Sequence, residues 1–357
     1  MKFDFDDILL KPATTSDISS RSEINPFDEN KMLPLMTAPM DTVVCNKNIN
    51  TFQNNGIYTI IPRTLTKDWN RSVLDVKKEN NGFIALGLDQ FIKVYIDNKI
   101  PIKNVNRICI DIANGHMKKL VDIIFESKQI HGDKLVLMVG SVANPNTYFN
   151  LSGVGADFVR IGVGSGAACI TTQQTGIGYP LASLIHDINS RKGYMDTDFA
   201  KIVLDGGCKK YSDIIKAISL GSDYIILGSI LNKALESAGD TFSENVKHET
   251  WTQPGEQVNQ FSKQVKVAFE NGLPLYKKYR GMSTKAVQEK LGNQIIRTSE
   301  GVSKIQTVEY TVGGWVENFK HYLSSAMSYT NSRSLKDFIG VTEWMAISQN
   351  SLNRFKK

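Results

Sequence analysis

Short apolar or β-branched runs, most of them closing on Gly, Asp or a small polar residue, recur eight times in the first two thirds of the chain. They span 34–41 (PLMTAPMD), 56–63 (GIYTIIPR), 82–87 (GFIALG), 107–115 (RICIDIANG), 134–141 (KLVLMVGS), 157–166 (DFVRIGVGSG), 201–207 (KIVLDGG) and 223–229 (DYIILGS). Each reads as a buried strand, because parallel strands covered on both faces lose the in–out alternation and become nearly continuous apolar segments. Helical periodicity fills several gaps. Lys210 to Leu220 puts Ile214, Ile215, Ala217 and Ile218 on one face, and Met117 to Ser127 does the same with Leu120, Val121, Ile123 and Ile124. Eight strands with helices between them fit an α/β fold closed as a (β/α)8 TIM barrel more economically than an open sheet.

A barrel gathers the residues that follow each strand at one mouth. By that logic Asp41, Arg63, Asp111, Ser141, the 162–172 loop, Asp205 and Ser229 face a common cavity. We expect one catalytic barrel over residues 1–357 with no tandem regulatory insertion. The stretch from about 254 to 330 is more polar and less regular. Within it YRGMST (279–284) and RTSEG (297–301) read as active-site loops rather than a second domain.

Composition narrows the function. The formal charge of +6, from 42 basic and 36 acidic residues, suits an anionic small substrate. No Lys/Arg block concentrates it, which counts against nucleic acid and leaves a mixed solvated surface as the plain alternative. No apolar run approaches the roughly 20 residues of a membrane span, and MKFDFDDILLKP lacks the charged-then-apolar pattern of a secretory leader. Cys45, Cys109, Cys169 and Cys208 lie far apart without a C-x-x-C pair, so neither a zinc site nor a disulfide framework is expected. A cytoplasmic setting, where a lone thiol stays reduced, is expected.

The stretch with the most chemistry is Arg160 to Pro180, RIGVGSGAACITTQQTGIGYP. Gly162, Gly164 and Gly166 allow close backbone approach, and the loop then presents Cys169 at the barrel mouth. An isolated cysteine is more often a small buried apolar residue; the glycines, the preceding strand and the adjacent threonines favour a functional one. Asp205-Gly206-Gly207 and Gly228-Ser229 follow the last two strands. Singly they are ordinary turns, but their paired placement matches the phosphate site of many barrels. The Asp205 carboxylate is suited to accept hydrogen bonds from sugar hydroxyls.

Together with FDDILLKP (5–12), APMDTV (38–43), IDIANGH (110–116), YRGM and SEG, these segments resemble the IMP dehydrogenase/GMP reductase family in order and spacing over almost the whole chain. The resemblance implies a homotetrameric barrel acting on a purine nucleoside monophosphate, GMP or IMP, with a nicotinamide cofactor. It implies Cys169 as the nucleophile at purine C2. It assigns Asp205, Gly206, Gly207, Gly228, Ser229 and Tyr279 to phosphate and ribose, and Gly281, Met282, Ser283, Arg297, Ser299 and Gly301 to the rest of the substrate site. Cofactor contacts fall on Arg63, Asp111, Ile112, Ala113, Val163 and Gly164, with Ser20 and Arg21 from one subunit and the region Ser325 to Tyr329. Carbonyls of Gly164, Gly166 and Cys169 match a monovalent cation site, K+ in many members.

Only 20 residues run from Gly281 to Glu300, with no Arg-Tyr pair among them, which is too short for the water-activating flap of the dehydrogenase branch. RTSEG, TGIGYP and DGGC also lean towards the reductase branch. There Thr171 and Glu300 would manage the proton on departing ammonia, and NADPH would supply hydride. Arg21 and Arg63 are suited to a 2′-phosphate, though each alone also reads as an ordinary surface arginine. Several positions depart from the family pattern. Ala167 stands for the usual Ser, Thr172 for the reductase Arg, Ser141 for Asn and Pro62 for His, while GSGAACIT is closer to the eukaryotic dehydrogenase loop. A deoxy- or modified purine nucleotide is therefore one alternative substrate. An IMP dehydrogenase making XMP with NAD, without a regulatory domain, and a noncatalytic nucleotide-binding barrel are the others.

Overall fold

The structure, a computed structural model, describes residues 2–66, 82–98, 106–195, 197–243, 245–247, 252–292, 298–340 and 343–355. Its centre is a sheet of eight parallel strands: β1 (Leu35–Thr37), β2 (Ile60–Ile61), β3 (Phe83–Leu86), β4 (Asn106–Asp111), β5 (Leu135–Val142), β6 (Phe158–Ile161), β7 (Lys201–Asp205) and β8 (Tyr224–Leu227). Each overlaps one of the eight apolar runs. Spatial order follows sequence order from β2 to β8, and β8 returns to pair with β1. A parallel bridge between Met36 and Tyr58 closes the ring. In it Tyr58 N–H donates to Leu35 O at 3.0 Å and Thr37 N–H to Tyr58 O at 2.9 Å. The fold is a (β/α)8 TIM barrel.

The outer layer includes α1 (Lys118–His131), α2 (Pro145–Gly153), α3 (Leu181–Lys192) and α4 (Tyr211–Leu220). The α2 helix starts where Asn144 Oδ1 accepts the Asn146 N–H and Pro145 fills the first turn, a position that needs no intrahelical N–H partner. The α4 helix buries Ile214, Ile215, Ala217 and Ile218, the face its periodicity marks out.

Strand alternation splits the core in two. Outward residues such as Ile108, Ile110, Val159 and Ile161 join the helices, while Met36, Phe83, Cys109, Met138, Phe158, Val203 and Ile226 fill the barrel interior. The next inward positions towards the mouth are Asp111 after Cys109, Arg160 after Phe158 and Asp205 after Val203. The apolar interior is thus capped by a charged layer. Gly140 on the neighbouring strand makes room for it, since a Cβ there would lie 2.7 Å from Arg160 Cβ and 2.5 Å from Arg160 O.

The segment after β8 is more regular than its sequence implies. Gln257–Val258, Thr241–Phe242, Tyr276–Arg280 and Ser303–Thr307 form a four-stranded antiparallel sheet in that order, and α5 (Val312–Tyr329) follows with 18 residues. The expectation of loops misses this because Tyr276–Arg280 (YKKYR) turns a lysine inward. Lys277 is fully buried, its ammonium donating to the carbonyls of Ala234, Leu235 and Ser237 at 2.7, 2.8 and 2.9 Å. Near the chain ends, Ile8–Leu10 pairs antiparallel with Trp344–Ala346. Among the described residues, no helix is long and apolar enough to cross a membrane.

Candidate active site

The charged layer forms the floor of a cavity of about 240 Å³ at the barrel mouth. Arg160, 5% exposed, joins its two carboxylates: one guanidinium nitrogen lies 2.8 Å from Asp111 Oδ1, and two others lie 3.1 and 2.5 Å from Asp205 Oδ2. Arg63 Nε stands 3.1 Å from Asp111 Oδ2, an ion pair without the angle of a hydrogen bond. Two carboxylates are thereby matched by two guanidiniums. Burial alone would raise the Asp111 pKa, but the charges of Arg160 and Arg63 outweigh it and hold the carboxyl below its ordinary value. Ser141 Oγ also donates to Asp205 Oδ2, at 2.9 Å. All of these donors converge on one oxygen, and Oδ1 has no protein donor among the described residues.

On the cavity wall, Cys169 Sγ lies 3.2 Å from Thr171 Oγ1, which donates to Glu300 Oε2 at 2.6 Å. These residues come from distant segments and are held by a short antiparallel ladder. Ile170 N–H donates to Glu300 O at 2.9 Å, Val302 N–H donates to Ala168 O at 3.0 Å, and Cys169 faces Gly301 between them. A thiol, a hydroxyl and a carboxylate in series can pass a proton between a reacting group at sulfur and Glu300.

Tyr279, 3% exposed, closes the cavity from the antiparallel sheet, its hydroxyl 3.6 Å from Met40 Sδ. Burial above all, with the charges of Asp205 and Cys169 adding to it, raises its pKa and keeps the phenol neutral. Gly206, Gly207, Gly228, Ser229, Gly281, Met282, Ser283 and Gly301 line the same cavity, as do Arg63, Ile112, Ala113, Val163 and Gly164.

Other expected residues lie elsewhere. Asp41 does not line the cavity; its nearly buried carboxylate accepts bonds from Arg280 and Lys290 instead. Ser299 turns its hydroxyl to Gly301 O at 2.6 Å instead of into the cavity. Ser20 and Arg21 sit in a one-turn helix packed near α5, which carries Ser325 and Tyr329, and none of the four lines this cavity. Arg297 lies outside the described residues. Of the carbonyls expected to hold a monovalent cation, that of Gly166 accepts Cys169 N–H at 2.9 Å; beside Gly164, Thr172 Oγ1 donates to Val163 O at 3.1 Å.

One charged residue of the cavity floor escaped the sequence reading. Arg160 had a signal, a lone charge inside an otherwise apolar parallel strand. Ser165, expected at the mouth only as part of the 162–172 loop, lines the cavity and donates its hydroxyl to Asp205 O at 2.9 Å.

The family model for the IMP dehydrogenase / GMP reductase domain matches residues 2–255. A GMP reductase from Vibrio vulnificus (strain YJ016) is 26% identical over 373 residues, covering 100% of this chain and 98% of its own length. One from Caenorhabditis elegans is 25% identical over 367 residues, covering 98% and 93%. One from Onchocerca volvulus is 25% identical over 373 residues, covering 99% and 93%.

Proposed function

The chain belongs to the IMP dehydrogenase/GMP reductase family, and from that premise we propose that it reductively deaminates GMP to IMP and ammonia with NADPH. The observation that carries this reading is the Cys169–Thr171–Glu300 series, with contacts of 3.2 and 2.6 Å. The Cys169 thiolate adds to purine C2. Glu300, through Thr171, protonates the departing amine, the C2–N bond breaks and ammonia leaves. When bound, reduced nicotinamide supplies the hydride that C2 then accepts, and the C2–S bond breaks to return the thiolate. The balance is GMP, NADPH and two protons giving IMP, NADP+ and ammonium.

The remaining residues bind and orient. Asp205, with one oxygen saturated by Arg160 and Ser141, offers Oδ1 to ribose hydroxyls. Gly206, Gly207, Gly228, Ser229 and Tyr279 receive the phosphate end, while Gly281, Met282 and Ser283 lie along the base. The wall of Ile112, Ala113 and Val163 beside the Arg63 guanidinium fits a flat carboxamide ring linked to phosphates. Ser20 and Arg21, away from this cavity, are suited to complete the cofactor site of a second copy within a homotetramer. Choice of the reductase branch rests on the 20-residue span from Gly281 to Glu300, on the Glu300 contact to Thr171, and on the names of the relatives.

Mass spectrometry of the protein incubated with GMP alone tests the covalent step. A Cys169 peptide heavier by GMP less ammonia is expected. Nucleotide bound without any such adduct would contradict the mechanism.

A further inference from the structure

Asp41 follows β1 and is nearly buried, its side chain 6% exposed, yet it carries two cations from a segment more than 230 residues away. One Arg280 nitrogen lies 2.7 Å from each of its oxygens, and Lys290 Nζ lies 2.6 Å from Oδ2. The chain between those cations is the piece that meets the nucleophile loop. Gly281 N–H donates to Val302 O at 3.0 Å, and a Cβ on Gly281 would stand 2.6 Å from Ala168 O, next to Cys169. Met282 and Ser283 line the cavity. Thr284 Oγ1 donates to Gly281 O at 3.0 Å, and a helix runs from Lys285 to Lys290 with Val287 buried.

We propose that Asp41 is a positioning residue that latches the segment from Gly281 to Lys290 shut over Cys169, with Arg280 as its fixed arm and Lys290 as its releasable one. Both ends of the segment meet on a single carboxylate, so its position depends on that carboxylate being doubly paired. The arms differ in accessibility. The Arg280 side chain is 17% exposed, and the Lys290 side chain is 50% exposed. Salt screens a half-exposed pair far more than a buried one. Added salt therefore releases the Lys290 end first while Arg280 keeps the strand in place.

The test begins on the free protein, so it is independent of the proposed reaction. Iodoacetamide alkylation is followed at the Cys169 peptide in wild type, Lys290→Ala and Lys290→Arg across a salt series. At low salt, Lys290→Ala is expected to alkylate about two- to fivefold faster than wild type, the range of a lost exposed ion pair. The ratio should fall towards one as salt rises, and Lys290→Arg should restore the slow rate. Equal rates at low salt, or a ratio that salt leaves unchanged, would overturn the latch. A second arm rests on the reading above: KM for GMP should rise by the same factor with kcat nearly unchanged. A fall in kcat without a rise in KM would contradict the positioning role.

Discussion

Arg160 is the side chain on which the cavity floor depends most. Its guanidinium sits between Asp111 and Asp205, and its removal leaves Asp205 without a cation and Asp111 with Arg63 alone in a nearly closed layer. Arg160→Met should destabilise the fold by about 3–5 kcal/mol, the usual cost of leaving buried charge unpaired, measured as a lower denaturant midpoint with little change in slope. A loss below about 1 kcal/mol would mean that water solvates the two carboxylates. At the thiol, Cys169→Ala should abolish turnover while the nucleotide still binds, separating an enzyme from a binding barrel. Glu300→Gln keeps the shape and removes the proposed proton carrier. It should lower kcat about 100-fold with KM little changed, and a kcat within twofold of wild type would exclude Glu300 from the relay. Cys169 and Glu300 were legible in the sequence because they lie in recognisable motifs. Arg160 was not given a role: its lone charge in an apolar strand marks it, but the two carboxylates that pair with it lie 49 and 45 residues away and meet it only in the closed barrel.

Among the elements, the barrel strands were readable and the antiparallel sheet was not, for a common reason. A parallel strand covered on both faces writes its burial into consecutive residues, whereas Tyr276–Arg280 buries Lys277 and Tyr279 on one face. A lysine satisfied by three carbonyls looks, in sequence, like an exposed one. That anchor joins the sheet to the turn after the short helix Ser229–Asn232. Lys277→Met is therefore expected to leave Leu235 O without a donor, while Ala234 O keeps Ser237 N–H and Ser237 O keeps the Gln260 amide, and to cost about 1–3 kcal/mol, read by thermal unfolding. The same variant should weaken nucleotide binding, because Tyr279 follows two residues later on the same face. Unchanged stability would show that Leu235 O finds another donor.

For the molecule as a whole, pH dependence follows from its buried carboxylates. Burial works against ionisation of Asp41, but Arg280 and Lys290 overcome it and hold its pKa below the ordinary value, as Arg160 and Arg63 do for Asp111. The unfolded chain thus binds more protons than the folded one just below the ordinary carboxylate pKa. The stabilisation is complete above about pH 4–5 and is lost as pH falls through the lowered values. Asp213, pushed upward by burial, works in the opposite sense and softens the first part of the decline. Denaturant midpoints should hold steady from pH 7 to 5 and drop steeply below about 4; a flat profile to pH 3 would deny the two carboxylates their stabilising part. The direction of hydride transfer at purine C2 separates a reductase from a dehydrogenase, and absorbance at 340 nm reads that directly. Purified protein with GMP and NADPH should lose absorbance while releasing ammonia and should remain silent with IMP and NAD+; a rise with IMP and NAD+ and no change with GMP would make it a dehydrogenase and contradict the account.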